Sequence, residues 1–302
     1  MHITFAGTPN FSKRVLKELL KEVDVSAVVT AKDKPRGRGQ KKKPTAVKKL
    51  AKKENIPVFH DLKEVIEKTD LVLVVAYGKI IKEKELKKPQ YGFLNVHPSL
   101  LPNYRGPTPL QAAILNGDDE TGVTIIKMDE KIDHGPILAQ KKVKLSGSEY
   151  YLDLGKELST LGGELLSEVV SNWTKGDIKP KPQDHSNATH TNLLDKKDGQ
   201  IDWTNSATLI ERKVRAYNPW PGCYSYLNDK MLKIFKAEVQ KQTKDGPFGD
   251  PGKIYLGTNE KIAVQTGDDF LLIEKLQLEG FQKTTSKEFL QGNMDIIGDV
   301  LD

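Results

Sequence analysis

Leu71-Val72-Leu73-Val74-Val75-Ala76 is an unbroken apolar run with no polar alternation. Such a run fits a strand covered on both faces, as in the middle of a parallel sheet. Working outward, His2 to Ala6 is a similar short run that ends at Gly7. It leads into Phe11, Val15, Leu16, Leu19 and Leu20, which recur at helical spacing. Val25 to Val29 predicts a second strand, Leu50 with Ile56 and Val58 a helix end and a third, and residues 91–96 another. Strands alternating with helices predict a doubly wound, mostly parallel sheet, with its ligands at the carboxyl ends of the strands.

Beyond this core the pattern predicts a helix over 107–116, strands over 122–128 and 136–145, and one long helix or two over 148–174. The polar, proline-containing stretch around 176–200 has almost no apolar residues and reads as a linker. After a helix near 204–216, short strand candidates at 223–228, 230–238, 252–256, 261–265 and 270–277 are separated by Gly and Asp turns. Five short strands in so few residues predict a small β-barrel of the OB-like, nucleic-acid-binding kind.

The 302 residues, 37 % hydrophobic and 29 % charged, suffice for two ordinary domains with their own cores. No run approaches the roughly 18 apolar residues of a membrane span, and the first residues read as a strand rather than a signal sequence, so a cytoplasmic location is expected. The single cysteine, Cys223, excludes an internal disulfide framework and any cysteine-based zinc cluster. The net charge of +6 is unevenly spread: residues 32–53 carry 11 basic and 1 acidic side chains, whereas 208–302 carry 13 and 14. A field concentrated in one stretch suits a polyanionic partner met at one place, or a solvated lysine-rich loop and helix.

Gly7-Thr8-Pro9-Asn10-Phe11 lacks the spaced glycines of a dinucleotide site, and no phosphate-binding loop of the nucleotide-hydrolase kind is present. His185 and His190 lie in the polar stretch with no third ligand nearby, which argues against a metal. The chemistry concentrates in Asn95-Val96-His97-Pro98-Ser99-Leu100-Leu101-Pro102-Asn103-Tyr104-Arg105-Gly106. Asn95 and His97, two apart on a strand, share one face at its carboxyl end. An amide can donate to an oxyanion and an imidazole can exchange a proton near neutral pH, so the pair suits attack on a carbonyl. Asp133, in the turn Lys131-Ile132-Asp133-His134-Gly135-Pro136, could orient His97 or relay protons, and is a better candidate than His134. A strand-end Asn and His that merely cap a turn remain the alternative. A serine hydrolase built from Ser99, His97 and Asp133 is disfavoured because no Gly-x-Ser-x-Gly elbow occurs.

These residues bring a resemblance into view. Phe5-Ala6-Gly7-Thr8-Pro9, Lys34-Pro35-Arg36-Gly37-Arg38-Gly39, Val74 to Gly78, the Asn95 to Gly106 segment, Gly117-Asp118 to Thr124, and Asp133-x-Gly135 all resemble the methionyl-tRNA formyltransferase family. So do Asp198 to Trp203 and Arg215 to Gly222, and the match runs nearly end to end.

The resemblance implies a Rossmann-like formyltransferase domain over 1–178, a linker over 179–203 and an OB-like, tRNA-binding domain over 204–302. It implies formyl transfer from 10-formyltetrahydrofolate to methionyl initiator tRNA, with Asn95, His97 and Asp133 as the catalytic groups. Ser99, Leu100, Leu101 and Pro102 would line the folate site, and Lys34, Arg36, Arg38, Lys41, Lys42 and Lys43 would meet tRNA. No metal and no more than a monomer are expected. Formyl transfer to a small molecule would leave the basic stretch and the barrel without a purpose. A non-catalytic RNA-binding protein would have no reason to keep Asn95, His97 and Asp133 together.

Overall fold

The structure is a computed structural model that describes residues 1–36, 41–241 and 249–302, with Arg36 and Lys41 described by their main chain only. In chain order it runs β1 (Ile3–Gly7), α1 (Asn10–Leu19), β2 (Ala27–Val29), β3 (Lys34–Arg36), β4 (Lys41–Lys43), α2 (Ala46–Lys53), β5 (Val58–Phe59), β6 (Leu71–Val75), α3 (Glu83–Leu86), β7 (Phe93–His97), α4 (Pro109–Asn116), β8 (Glu120–Lys127), β9 (Ile137–Lys144) and α5 (Tyr151–Lys175). Then come α6 (Ala207–Tyr217), β10 (Cys223–Leu227), β11 (Lys230–Gln240), β12 (Ile254–Leu256), β13 (Ile262–Gln265), β14 (Phe270–Leu278), β15 (Thr284–Thr285) and α7 (Ser286–Leu290). Two compact units emerge: Met1–Pro109 with Glu120–Lys144 and Asp153–Asn192, and Leu110–Asp119 with Leu145–Leu152 and Leu193–Asp302.

The first unit holds a seven-stranded sheet in the order β5-β2-β1-β6-β7-β8-β9. β5, β2, β1, β6 and β7 are parallel, while β8 runs antiparallel to β7 and β9 to β8. Every residue of β6 is buried, as its unbroken apolar run predicts. Ala6, Val29, Val72, Val74 and Phe93 line one side of the core. Strand order reverses between β1 and β6, so the carboxyl ends of β1, β6 and β7 open on the crevice where such sheets bind ligands. Ser12 of α1 donates to the Val75 carbonyl at 2.6 Å and ties the first helix to the end of β6. The 148–174 region is one continuous helix, α5, and Gly162 lets it approach Val96 of β7 and Val123 of β8.

Two expectations about this unit change. The basic stretch, read as a loop leading to a helix, forms two short paired arms, β3 and β4, with Lys34 opposite Lys43 and Pro35 opposite Lys42. Residues 179–203, expected as a linker between domains, divide between the units: 179–192 belong to the first and 193–203 to the second. The stretch is irregular, as its composition implies, yet it is bonded into the fold. Lys181 pairs with Ile137, and the Arg105 amide donates to the Thr189 carbonyl at 2.9 Å while its carbonyl accepts from Thr191 at 2.8 Å.

The second unit carries an antiparallel sheet in the order β10-β11-β14-β13-β12, with β15 added to β14. Residues after 280 bury Phe289, Leu290, Ile296 and Leu301. Gly298 donates to the Ile254 carbonyl, Ile254 donates to the Asp299 carbonyl, and Leu301 donates to the Gly252 carbonyl, all at 2.8 to 2.9 Å. On the other side Tyr226 of β10 and Asp302 exchange both main-chain bonds. Residues 298–302 thus bond to both edge strands and close the sheet on itself. No helix among the described residues is long and apolar enough to cross a membrane.

Candidate active site

Asn95 and His97 lie on β7 with Val96 between them, so the two-residue period of a strand presents both to the same side. The carboxylate of Asp133 receives them. The Asn95 Nδ2 donates to Asp133 Oδ1 at 3.1 Å, and His97 Nδ1 lies 3.5 Å from Asp133 Oδ2. A third donor, the Gly106 amide, reaches the same Oδ2 at 2.8 Å. The three residues expected to act together from sequence are brought together. Two more positions shape the site: His97 Nε2 donates to the Tyr104 carbonyl at 2.9 Å, and Tyr104 holds a left-handed backbone with φ +61°. That bond fixes the tautomer, since a carbonyl can only accept. Nδ1 is therefore the nitrogen turned toward Asp133.

The imidazole is buried at 4 % exposure, whereas Asn95 is half-buried. Asp133 also adopts a left-handed backbone, φ +50°, a conformation aspartate tolerates better than most residues and one that recurs where a fold presents a functional group. The turn allows no side chain at Gly135, where a Cβ would sit 1.9 Å from the Lys127 carbonyl.

Ser99 to Pro102 form a wall braced from within. The Ser99 hydroxyl donates to the Asn103 carbonyl at 2.6 Å, and the Thr124 hydroxyl donates to the Ser99 carbonyl and accepts from the Leu101 amide. Gln140 caps the Leu101 carbonyl at 2.8 Å, and the Leu100 and Pro102 carbonyls accept from Asn103 and Thr189. Leu101 is buried, and Leu100 and Pro102 on either side of it are half-buried. With its hydroxyl spent on the Asn103 carbonyl, Ser99 forms no nucleophile–base pair with the imidazole.

Residues that sequence reasoning did not single out support this arrangement. Gln183 Nε2 donates to the carbonyls of Asp133 and Gly135 at 2.9 and 2.7 Å, while its Oε1 accepts from Arg105 Nε and Nη2 at 3.2 and 2.8 Å. Arg105 Nη2 also donates to His185 Nδ1 at 2.8 Å. His185 stacks on His134 with ring centroids 3.9 Å apart, and His134 Nδ1 meets Asp129 at 2.6 Å. His134 thus packs beside the turn rather than into the site. Burial of its ring, then the charges of His134 and Arg105, hold the His185 imidazole below the usual histidine range, which fits an Nδ1 that accepts. No short motif marks Gln183, because it lies 78 residues from Arg105 in a stretch without periodicity. Among the described residues no group of three or more His, Cys, Asp or Glu could hold a metal ion.

Lys34, Lys42 and Lys43 are exposed on the paired arms, and among the described residues none has a carboxylate partner. The arms set Lys34 across from Lys43, which like charges oppose. Arg38 lies outside the described residues, and Arg36 and Lys41 are placed by main chain alone. On the second unit, Lys233 and Phe235 alternate outward from β11, and Lys275 and Gln277 from β14. Lys283 stands over the Phe235 ring at 3.9 Å, and burial together with the like charge of Lys275 lowers its ammonium pKa below the usual lysine range. Lys236 and Lys261 are paired with Glu274, but among the described residues Lys233, Lys275 and Lys283 have no carboxylate partner.

Residues 1–170 match the family model for formyl transferases, and residues 193–294 match the formyl transferase C-terminal domain. The methionyl-tRNA formyltransferase of Citrifermentans bemidjiense is 40 % identical over 97 % of this chain and 93 % of its own length. Among solved structures, WlaRD, a sugar 3N-formyl transferase crystallised in the presence of dTDP and 5-N-formyl-THF, superposes with a TM-score of 0.69 at 21 % identity, over 93 % of this chain and 99 % of that one. A variant of HypX from Aquifex aeolicus superposes with a TM-score of 0.66 at 22 % identity over 98 % of this chain, which spans about half, 48 %, of HypX. Both structures share the fold.

Proposed function

This chain belongs to the methionyl-tRNA formyltransferase family, and on that premise we propose that Asn95, His97 and Asp133 move a formyl group from 10-formyltetrahydrofolate to the free amino group of methionyl initiator tRNA, giving N-formylmethionyl-tRNA. The observation that carries the assignment is the Asp133 carboxylate, which joins the Asn95 amide and the His97 imidazole at the carboxyl end of β7.

The donor supplies a formyl carbon activated by its bond to N10. As the amine forms its bond to that carbon, the formyl oxygen gains charge. Asn95 has a second Nδ2 hydrogen beyond the one given to Asp133, and protonated His97 has an Nδ1 hydrogen, so both can donate to that oxygen. Asp133, 3.5 Å from His97 Nδ1, sits close enough to pass the amine's proton, through water, toward the departing N10 as the old bond breaks. Ser99, Leu100, Leu101 and Pro102 line the pterin end through the faces that their internal bonds leave open.

Two basic surfaces suit the other substrate. Lys34, Arg36, Arg38, Lys41, Lys42 and Lys43 meet acceptor-stem phosphates, and Lys233, Lys275 and Lys283 with Phe235 make a second contact on the second unit. We place the enzyme in the cytoplasm as a monomer, to be checked by fractionation and light scattering.

The test is a formylation assay with methionylated initiator tRNA at saturating folate. Asn95→Ala, His97→Ala and Asp133→Asn should each lower kcat by about 10²-fold or more. Near-wild-type turnover in any of the three would remove that residue from the assignment.

A further inference from the structure

The direction of hydrogen bonding through Arg105 and Gln183 has a single solution. A guanidinium donates and never accepts, so the oxygen of the Gln183 amide must face Arg105, where it takes bonds from Nε and Nη2. The amide nitrogen is thereby turned the other way, onto the carbonyls of Asp133 and Gly135. Both side chains are buried, Arg105 at 5 % exposure and Gln183 at 6 %, and among the described residues Arg105 has no carboxylate partner. A buried guanidinium held by neutral acceptors costs more than one in an ion pair, so its presence here calls for a role besides stability. His185 Nδ1 completes the set by accepting from Nη2.

What this lock holds is the turn that carries Asp133. The Asp133 backbone is left-handed, Gly135 admits no Cβ, and the carboxylate bonds Asn95 at 3.1 Å and stands 3.5 Å from His97 Nδ1. The segment supplying Gln183 also fastens the opposite wall. Thr189 accepts from the Tyr104 and Arg105 amides, at its hydroxyl and carbonyl respectively, and Thr191 donates to the Arg105 carbonyl. Tyr104 is the residue whose carbonyl orients His97. Both members of the His97–Asp133 pair are therefore set by residues 183–191, an interval that falls between the two family-model matches at 1–170 and 193–294.

We infer that Gln183, oriented by Arg105, is a positioning residue for formyl transfer, and that residues 183–191 are a strap completing the active site. This rests on the assignment of Asp133 above. Gln183→Glu tests it: a carboxylate keeps the size and still accepts from Arg105, now as an ion pair, but cannot donate to the two carbonyls. Gln183→Met, which removes both functions at similar volume, is the companion.

Gln183→Glu should melt within a few degrees of wild type and Gln183→Met, which strips the buried guanidinium of an acceptor, at a lower temperature, while both keep KM for tRNA and for folate within about twofold. Their kcat should fall by about 10- to 100-fold, the scale of a misplaced reacting group. In an Asp133→Asn background, followed by single-turnover formylation, neither should lower the rate by more than about threefold further, because the residue acts through Asp133. A kcat within threefold of wild type in the folded variants, or an undiminished loss in the Asp133→Asn background, would overturn the inference. Wild-type turnover in Asp133→Asn alone would instead overturn the assignment of Asp133.

Discussion

His97 uses Nε2 on the Tyr104 carbonyl, so Nδ1 is the nitrogen left for chemistry. This separates two substitutions that are otherwise similar. An asparagine amide nitrogen occupies roughly the place of Nδ1 and a glutamine nitrogen roughly that of Nε2. His97→Asn should retain about tenfold more kcat than His97→Gln, a difference of ~1.4 kcal/mol in transition-state stabilisation. Equal residual rates, or the reverse order, would move the working nitrogen to Nε2. The pairing of Asn95 with His97 is legible in sequence because a strand has a period of two and both residues sit at the end of an apolar run. Asp133 is legible because a Gly-containing turn between two strands has one carboxylate at its tip. Tyr104 and Gln183 are not: one contributes a backbone carbonyl, which every residue has, and the other a neutral amide far away in sequence. Cys223 is buried in β10, and burial pushes its thiol up to about 12, well away from the reactive thiolate.

Elements whose formation rests on apolar pattern are legible in the amino-acid sequence. β6, β7, β8, β11, β13 and β14 lie within a residue or two of their expected positions, because each buries one or both faces; β9, whose residues are half-buried or exposed, also lies where expected. The paired arms β3 and β4 are not legible, since a ladder with lysine opposite lysine offers no apolar alternation to read. The closing strand 298–302 is hidden for a related reason: it is short, and Leu301 is its only fully buried side chain, at 2 % exposure. Leu301 should therefore matter more than its place near the end of the sequence suggests. Leu301→Ala should destabilise the second unit by about 3 kcal/mol, in the range for buried leucine truncation, as a lower urea midpoint. Loss of less than about 1 kcal/mol would mean that the main-chain bonds to Gly252, Ile254 and Tyr226 close the sheet without that anchor.

On the scale of the whole molecule, the net +6 hides two separate cationic surfaces, one in each unit. The second unit is acidic by one charge in its last 95 residues, yet its acidic side chains are partly spent on Lys236, Lys241, Lys261 and Lys287. That leaves Lys233, Lys275 and Lys283 as a local positive face that no sum over the sequence reveals. If each surface neutralises phosphates, reversing three charges on either one should flatten the salt dependence of tRNA affinity. The slope of log K against log salt should fall by about two to three for Lys41, Lys42 and Lys43→Glu, and similarly for Lys233, Lys275 and Lys283→Glu. The kcat at saturating tRNA should stay within about twofold. An unchanged slope for one set would return that set to ordinary solvated surface.

The strap between the two family-model matches also bears on how such enzymes are put together over evolutionary time. If the catalytic unit were portable as the 170 residues of its family model, it could be recombined onto any new C-terminal partner by a junction just after α5. A junction there would leave Gln183, Thr189 and Thr191 with the other parent, together with their bonds to the carbonyls of Asp133 and Gly135 and to Tyr104 and Arg105. The compact unit that holds those bonds runs on to Asn192, so a crossover beyond that residue keeps them on one parent's side.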